Sequence, residues 1–159
     1  MDIKILVDEF KFKVRVSAIF IRNKKVLVNK YGMDSYCLPG GYVEVGENSK
    51  DAMIRELKEE LNLDFNIISF AGIVENFFEN LKGEKTHGID FYYYVELKND
   101  DDYHLIDYDF IELDKGKIVH HHFSWLDLEK LNEFKLYPLK IRNVIQEKEK
   151  AFHFIINDL

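Results

Sequence analysis

Between residues 10 and 61 the hydrophobic period changes from two residues to helical spacing, and few folds accommodate that change in so short a stretch. Apolar and polar residues alternate through "FKFKVRVSAIFI" (10–21), with Phe10, Phe12, Val14 and Val16 on one face and Lys11, Lys13 and Arg15 on the other. Such alternation predicts a half-buried strand. From Asn48 onward, Met53, Ile54, Leu57 and Leu61 recur at helical spacing and form an apolar stripe. Asn48 stands where a cap belongs, Asp51 follows three residues later as in a capping box, and Asn62 occupies the left-handed position that ends many helices. Between the two elements, "YCLPGGYVEVGE" contains Pro39, Gly40 and Gly41, which interrupt any regular structure.

The remaining segments extend the alternation of strands and helices. "NKK" (23–25) reads as a turn into the strand "VLVNKY", closing a hairpin. "FNIISFAGIVENFF" (65–78) and "GIDFYYYVEL" (88–97) read as strands joined by the polar loop "ENLKGEKTH", and "IVHHHFSWL" (118–126) as another. "NDDDYHLIDYD" (99–109) reads as an acidic surface segment and "DLEKLNEF" as a helical turn, while the stretch from Pro138 through "FHFII" reads as a C-terminal helix. Together these predict an α/β (α+β) layered fold, a single domain over residues 1–159 built on a mixed sheet with helices on its faces.

Charge and composition narrow the function. Lys and Arg number 22 against 29 Asp and Glu, a formal net charge of −7, which repels a phosphate backbone and argues against bulk nucleic-acid binding. No apolar run approaches a membrane span and no secretory leader is evident, so the expected setting is the cytoplasm, without membrane association. Cys37 is the sole cysteine and has no disulfide partner within the chain. Packing beside the Leu-Pro-Gly-Gly turn accounts for it better than nucleophilic chemistry does.

The acidic helix carries the chemistry. Glu56, Glu59 and Glu60 fall on one side of a 3.6-residue helix, and like charges at these spacings cost a few tenths of a kcal/mol per pair unless cations offset them. Arg55 offsets part of that charge. A solvated acidic face is the competing reading. Against it stands the Pro39-Gly40-Gly41 turn, which lets backbone approach a ligand beside carboxylates of the kind that hold Mg²⁺ or Mn²⁺.

The stretch from Gly41 through Glu47 to "RELKEELNL" (55–63) resembles the signature of the Nudix hydrolases, G-x5-E-x7-R-E-U-x-E-E-x-G-U, with unbroken spacing. Asn62 replaces its last glycine, a substitution that suits a site needing only tolerance of positive φ. "LPGG" (38–41) and "FSWLDLEKL" (123–131) are also similar to segments of that family. The resemblance implies an α/β/α sandwich around a mixed sheet. It implies hydrolysis, with Mg²⁺ or Mn²⁺, of a nucleoside triphosphate or of a nucleoside diphosphate linked to another moiety. Glu56, Glu59 and Glu60 would be metal ligands, the Gly40 carbonyl a further one, and Arg55 with Glu47 an orienting ion pair. Glu59 or Glu60 would accept the proton of the attacking water unless a later loop supplies the base. The alternative is a nucleotide-metabolite binding module of the same fold without catalysis. The expected partner is a small nucleotide or nucleotide-sugar, and a homodimer is a candidate assembly.

Outside the motif, Glu84, His87 and Asp90 lie around "GEKTHGID", a segment expected to be a mobile loop able to supply a base, although Gly88 follows His87 where relatives often carry Glu. Asp109 and Glu112 are further acidic candidates. Arg22, Lys30 and His87 are candidates for contacting substrate, the first two through its phosphates. In a strand, His120 and His122 share a face, a pair read as structural rather than metal-binding. Tyr92, Tyr93 and Tyr94, with Phe77, Phe78 and Trp125, are large enough to stack on a base, but core packing is the expected role.

Overall fold

The computed structural model of the protein describes residues 1–106, 109–114 and 117–159, with only the backbone described at 105, 109–114, 117 and 119. The strands and helices in chain order are β1 (Lys4–Val7), β2 (Phe10–Ile19), β3 (Ile21–Arg22), β4 (Lys25–Tyr31), β5 (Ser35–Cys37), β6 (Gly40–Tyr42), α1 (Ser49–Leu61), β7 (Phe65–Glu79) and β8 (Lys85–Leu97). They continue with β9 (Asp109–Asp114), β10 (Lys117–Asp127), β11 (Lys135–Leu136), α2 (Ile141–Glu147) and β12 (Phe152–Asp158). Short 3-10 segments cover Asp100–Ile106 and Leu128–Glu133.

The expected mixed strand arrangement is present, distributed over two six-stranded sheets. One runs β1-β2-β8-β7-β12 with β6 added against β2, and the other runs β11-β5-β4-β10-β9 with β3 against β4. The first is mixed because β2 and β8, and β7 and β12, are parallel while β7 and β8 are antiparallel. The β3–β4 hairpin turns on Asn23 and Lys24, both at positive φ, which matches the right-handed twist of the flanking strands.

The alternation in β2 divides two cores. Val16 and Ala18 pack with Ala52, Met53 and Leu57 of α1, whereas Ile19 packs with Tyr92, Tyr94 and the Ile141, Val144 and Ile145 face of α2. Burying each large aliphatic side chain contributes about 1.5–3 kcal/mol. The stripe on α1 is shifted from the expected one: Ile54 is exposed, while Ala52 and the charged Glu60 are buried. Tyr92 and Tyr93 are core residues on opposite faces of β8, and Trp125 is taken up against Phe20 and Tyr103.

Two expectations are corrected. The C-terminal helix ends at Glu147, and "FHFII" forms β12 instead, because Phe152, Phe154 and Ile156 alternate with exposed residues and pair in parallel with β7. Lys148 and Ala151, both at positive φ, turn the chain between the two elements. The polar loop expected over residues 79–87 shrinks to 80–84, because β7 runs to Glu79 and β8 begins at Lys85, so most of "GEKTHGID", expected to be mobile, is strand; the β7–β8 hairpin is closed by a tight turn in which Asn80 Oδ1 accepts from the N–H groups of Lys82 and Glu84. No helix among the described residues is long and apolar enough to cross a membrane.

Candidate active site

The site begins with the ends of α1. Asn48 Oδ1 accepts from the N–H groups of Lys50 (3.1 Å) and Asp51 (3.0 Å), satisfying donors that the first turn leaves unpaired. Asp51 completes the box through its side chain, taking a hydrogen bond from Asn48 Nδ2 at 2.6 Å. Asn62 sits at φ 53° and ψ 28° and returns its N–H to the Lys58 carbonyl, so the replacement of glycine at that point is structurally met.

With the helix held, Arg55 organises the carboxylates. Its Nε and Nη2 donate to the two oxygens of Glu47, each at 2.8 Å, and Nη2 also donates to the Tyr42 carbonyl at 2.8 Å. Nη1 donates to Glu56 at 2.9 Å and to Glu59 at 3.3 Å. A planar guanidinium binds a carboxylate bidentately, so Arg55 joins the loop carrying Glu47 to the helix in one orientation. The hydrogen bond from Arg55 holds the Glu47 carboxyl below the usual range despite desolvation, and Glu47 in turn raises Arg55. Glu47 also accepts the Glu44 N–H at 3.1 Å.

The two glycines make the close packing feasible. A Cβ on Gly41 would lie 2.2 Å from the Glu56 carboxylate, and one on Gly40, at φ +148°, would lie 2.1 Å from the Val16 carbonyl oxygen. The contact seen for Gly40 is made by its N–H, which donates to Glu60 Oε2 at 3.0 Å.

Glu60 is only 6% exposed, and His121, also 6% exposed, brings Nδ1 to 3.9 Å from its Oε1. Asn29 Nδ2 and His121 Nδ1 are hydrogen-bonded at 2.7 Å, and Phe123 stacks on the ring. His120 and His122, the pair singled out by strand alternation, are both exposed, and the buried histidine is His121 between them. The signal was available in the alternation: His121 shares parity with Phe123 and Trp125, the apolar face of β10.

The donor set suits a hard divalent cation, since Glu56, Glu59 and Glu60 supply carboxylate oxygens from one helix. Among the described residues no three acidic, His or Cys side chains converge as a metal cluster, because Arg55 takes up Glu56 and Glu59. Glu59, with 47% of its side chain exposed and the longest Arg55 contact, is the carboxylate best placed to turn toward a ligand.

The other candidates are dispersed. Arg22 forms an ion pair with Asp100 and lies over the Tyr103 ring at 4.1 Å, and Lys30 sits in β4 opposite Tyr36 and His122. His87 lies in β8, stacked on Phe77 at 4.4 Å and edge-on to Phe12. Glu84 is exposed and hydrogen-bonded to Asn80 at 2.7 Å, whereas Asp90 is buried in β8. The side chains of Asp109 and Glu112 lie outside the described residues. Burial pushes the Cys37 thiol up to about 11, as befits a packed thiol.

A family model described as the NUDIX domain matches residues 11–147. A 66-residue stretch, 40% of the chain, is 33% identical to the RNA pyrophosphohydrolase of Ruthia magnifica subsp. Calyptogena magnifica, and a 64-residue stretch, 38% of the chain, is 36% identical to the ADP-ribose pyrophosphatase of Methanocaldococcus jannaschii. The chain spans only 37% and 38% of the length of these two relatives. Among solved structures, the MutT protein of Bacillus halodurans aligns with a TM-score of 0.61 at 14% identity, covering 89% of this chain and 86% of that one. A NUDIX hydrolase from Nitrosomonas europaea aligns at 0.57 with 20% identity, covering 89% and 93%. At these identities the two structures speak for the fold.

Proposed function

This chain belongs to the NUDIX family, and from that premise we propose that it is a metal-dependent pyrophosphohydrolase. Its reaction is the cleavage of a pyrophosphate bond, by attack of water on phosphorus, in a nucleoside triphosphate or a nucleoside diphosphate linked to another moiety. The observation that carries the reading is the Arg55 network, which holds Glu47, Glu56 and Glu59 in register while Gly40 holds Glu60. The names of the two relatives support the same reaction class.

Glu56, Glu59 and Glu60, with the Gly40 carbonyl, would hold Mg²⁺ or Mn²⁺. When bound, such an ion neutralises diphosphate charge and acidifies a bound water. Arg55 and Glu47 orient the helix against the glycine turn and act through the other residues. The half-exposed Glu59 is the best-placed acceptor for the water's proton, because the buried Glu60 already receives the Gly40 N–H. The net charge of −7 supports a small nucleotide substrate rather than bulk nucleic acid.

Release of phosphate or pyrophosphate from a panel of nucleoside triphosphates, dinucleoside polyphosphates, ADP-ribose and sugar nucleotides, with Mg²⁺ or Mn²⁺, tests the reading. Glu59→Gln is expected to lower kcat by about 100-fold or more, since a positioned acid or base contributes about 10²–10⁴-fold. Wild-type protein that cleaves nothing in the panel, or a Glu59→Gln variant as fast as wild type, overturns it.

A further inference from the structure

On the face of β2 opposite α1 lies a cavity of about 840 Å³, floored by Lys13 and Arg15 of β2 and Asp90 of β8 and walled by Phe78, Tyr137 and Ile156. Ser17 also lines it and pairs with Gly40, whose N–H binds Glu60, so the cavity begins one strand pairing from the acidic cluster.

Two polar atoms on its floor lack hydrogen-bond partners, although Lys13 lies over the Phe78 ring at 5.1 Å and Arg15 over the Tyr42 ring at 5.4 Å. Arg15 and Asp90 are register partners on adjacent parallel strands, yet no ion pair joins them among the described contacts. Asp90 is 9% exposed and its Oδ1 has no hydrogen-bond partner; nor does the buried Nε of Arg15. Leaving such groups unpaired in the interior is costly, and a cavity lined by them is preorganised for a ligand that supplies the missing partners. The neighbouring charges limit its chemistry. An anion on the floor would meet the Asp90 carboxylate, and a cation would meet Lys13 and Arg15. A neutral group with hydrogen-bond donors beside an acceptor satisfies all three, and the aromatic walls suit a flat ring.

We propose that this cavity recognises a nucleobase and selects guanine, with the Asp90 carboxylate accepting from N1–H and the exocyclic N2 amino group while Lys13 or Arg15 donates to O6. Guanine is the one standard base with two adjacent donors and a flanking keto oxygen on its pairing edge. Adenine would turn its N1 lone pair toward the carboxylate, and cytosine and uracil each place an acceptor there. One wall comes from β12, which lies beyond the residues that match the family model, so this closure belongs to the chain's own C-terminal strand. The proposal rests on the pyrophosphohydrolase reading for its biological meaning, and the test separates the two.

Calorimetric titration of the full chain with GMP, IMP and AMP in EDTA reads the pocket without catalysis. GMP is expected to bind about 10–100-fold more tightly than AMP, with IMP, which lacks the N2 donor, between them. Asp90→Asn should remove that preference while a thermal melt reports an intact fold. If that variant does not fold, Lys13→Met should weaken GMP more than AMP. Equal affinity for GMP and AMP, binding of neither, or a preference that survives in a folded Asp90→Asn protein overturns the proposal. Guanine-selective binding without hydrolysis of any substrate leaves the pocket standing and removes the catalytic reading. Hydrolysis with equal kcat/KM for guanine and adenine nucleotides does the reverse.

Discussion

The two faces of strand β2 treat buried charge in opposite ways. On the α1 side, all three guanidinium nitrogens of Arg55 donate, and Glu47 accepts from both Arg55 and the backbone. On the cavity side, Arg15 and Asp90 lie on paired strands, and each retains an orphaned polar atom. The first arrangement holds a geometry, since a satisfied network rigidifies what it joins. The second gives up stability to keep a recognition surface open, the trade expected of a binding site.

The largest stability effect expected on the closed side comes from Gly40→Ala. Its Cβ would lie 2.1 Å from a backbone oxygen at a φ that L side chains rarely adopt, so the loss should be about 3 kcal/mol or more by urea unfolding. A change below about 1 kcal/mol would mean that the turn yields easily.

Next, Glu47→Gln should cost about 1–3 kcal/mol by removing a charge-assisted bidentate contact. The pH dependence carries a sign. The folded Glu47 carboxyl lies below its unfolded value near 4.5, so its contribution is present above that value and is lost as pH falls through the lower folded one. Urea melts from pH 7 into the acid range should therefore show a flatter acid limb in the variant.

Asp90→Asn should behave oppositely. Burial raises its carboxyl above the usual 3.8, against the pull of Arg15 and Lys13. Its ionisation therefore penalises the fold above the folded value, and the penalty is relieved on acidification. The variant should be unchanged or up to about 1 kcal/mol more stable at pH 7, while losing ligand preference. A clear loss of stability would show that the two faces do not differ as described.

The smallest effect is expected at Asn62→Gly. The residue already sits at φ 53°, so glycine should change stability by less than about 1 kcal/mol and leave activity intact. A larger change in either would give Asn62 a role beyond ending α1.

Much of the closed side was legible in the sequence because its rules are local. Asn48 and Asn62 mark the ends of α1 through side-chain capping and left-handed tolerance. Gly41, Glu47 and Arg55 lie within fifteen residues, close enough for spacing alone to bring them together. The β2 alternation was equally readable. The error at Ile54 arose because a stripe read from hydrophobicity alone does not anticipate that a carboxylate, Glu60, is buried in the aliphatic position.

What the tertiary structure decided is everything that depends on long-range pairing. His121 stands beside Glu60 because β10 pairs with β4 from nearly a hundred residues away, and no local pattern encodes that partner. The tail from Pro138 carries helical spacing as far as Glu147, and only pairing with β7 makes Phe152–Asp158 a strand. In the sequence Arg15 reads as the polar face of a strand and Asp90 as a loop carboxylate able to supply a base, and the parallel pairing of β2 with β8 places them on one cavity floor instead. Local periodicity and capping determined the strand β2, the helix α1 and where the acidic motif lies. Which strands meet, and therefore which charges face water, a neighbour or an empty cavity, is a property of nonlocal burial.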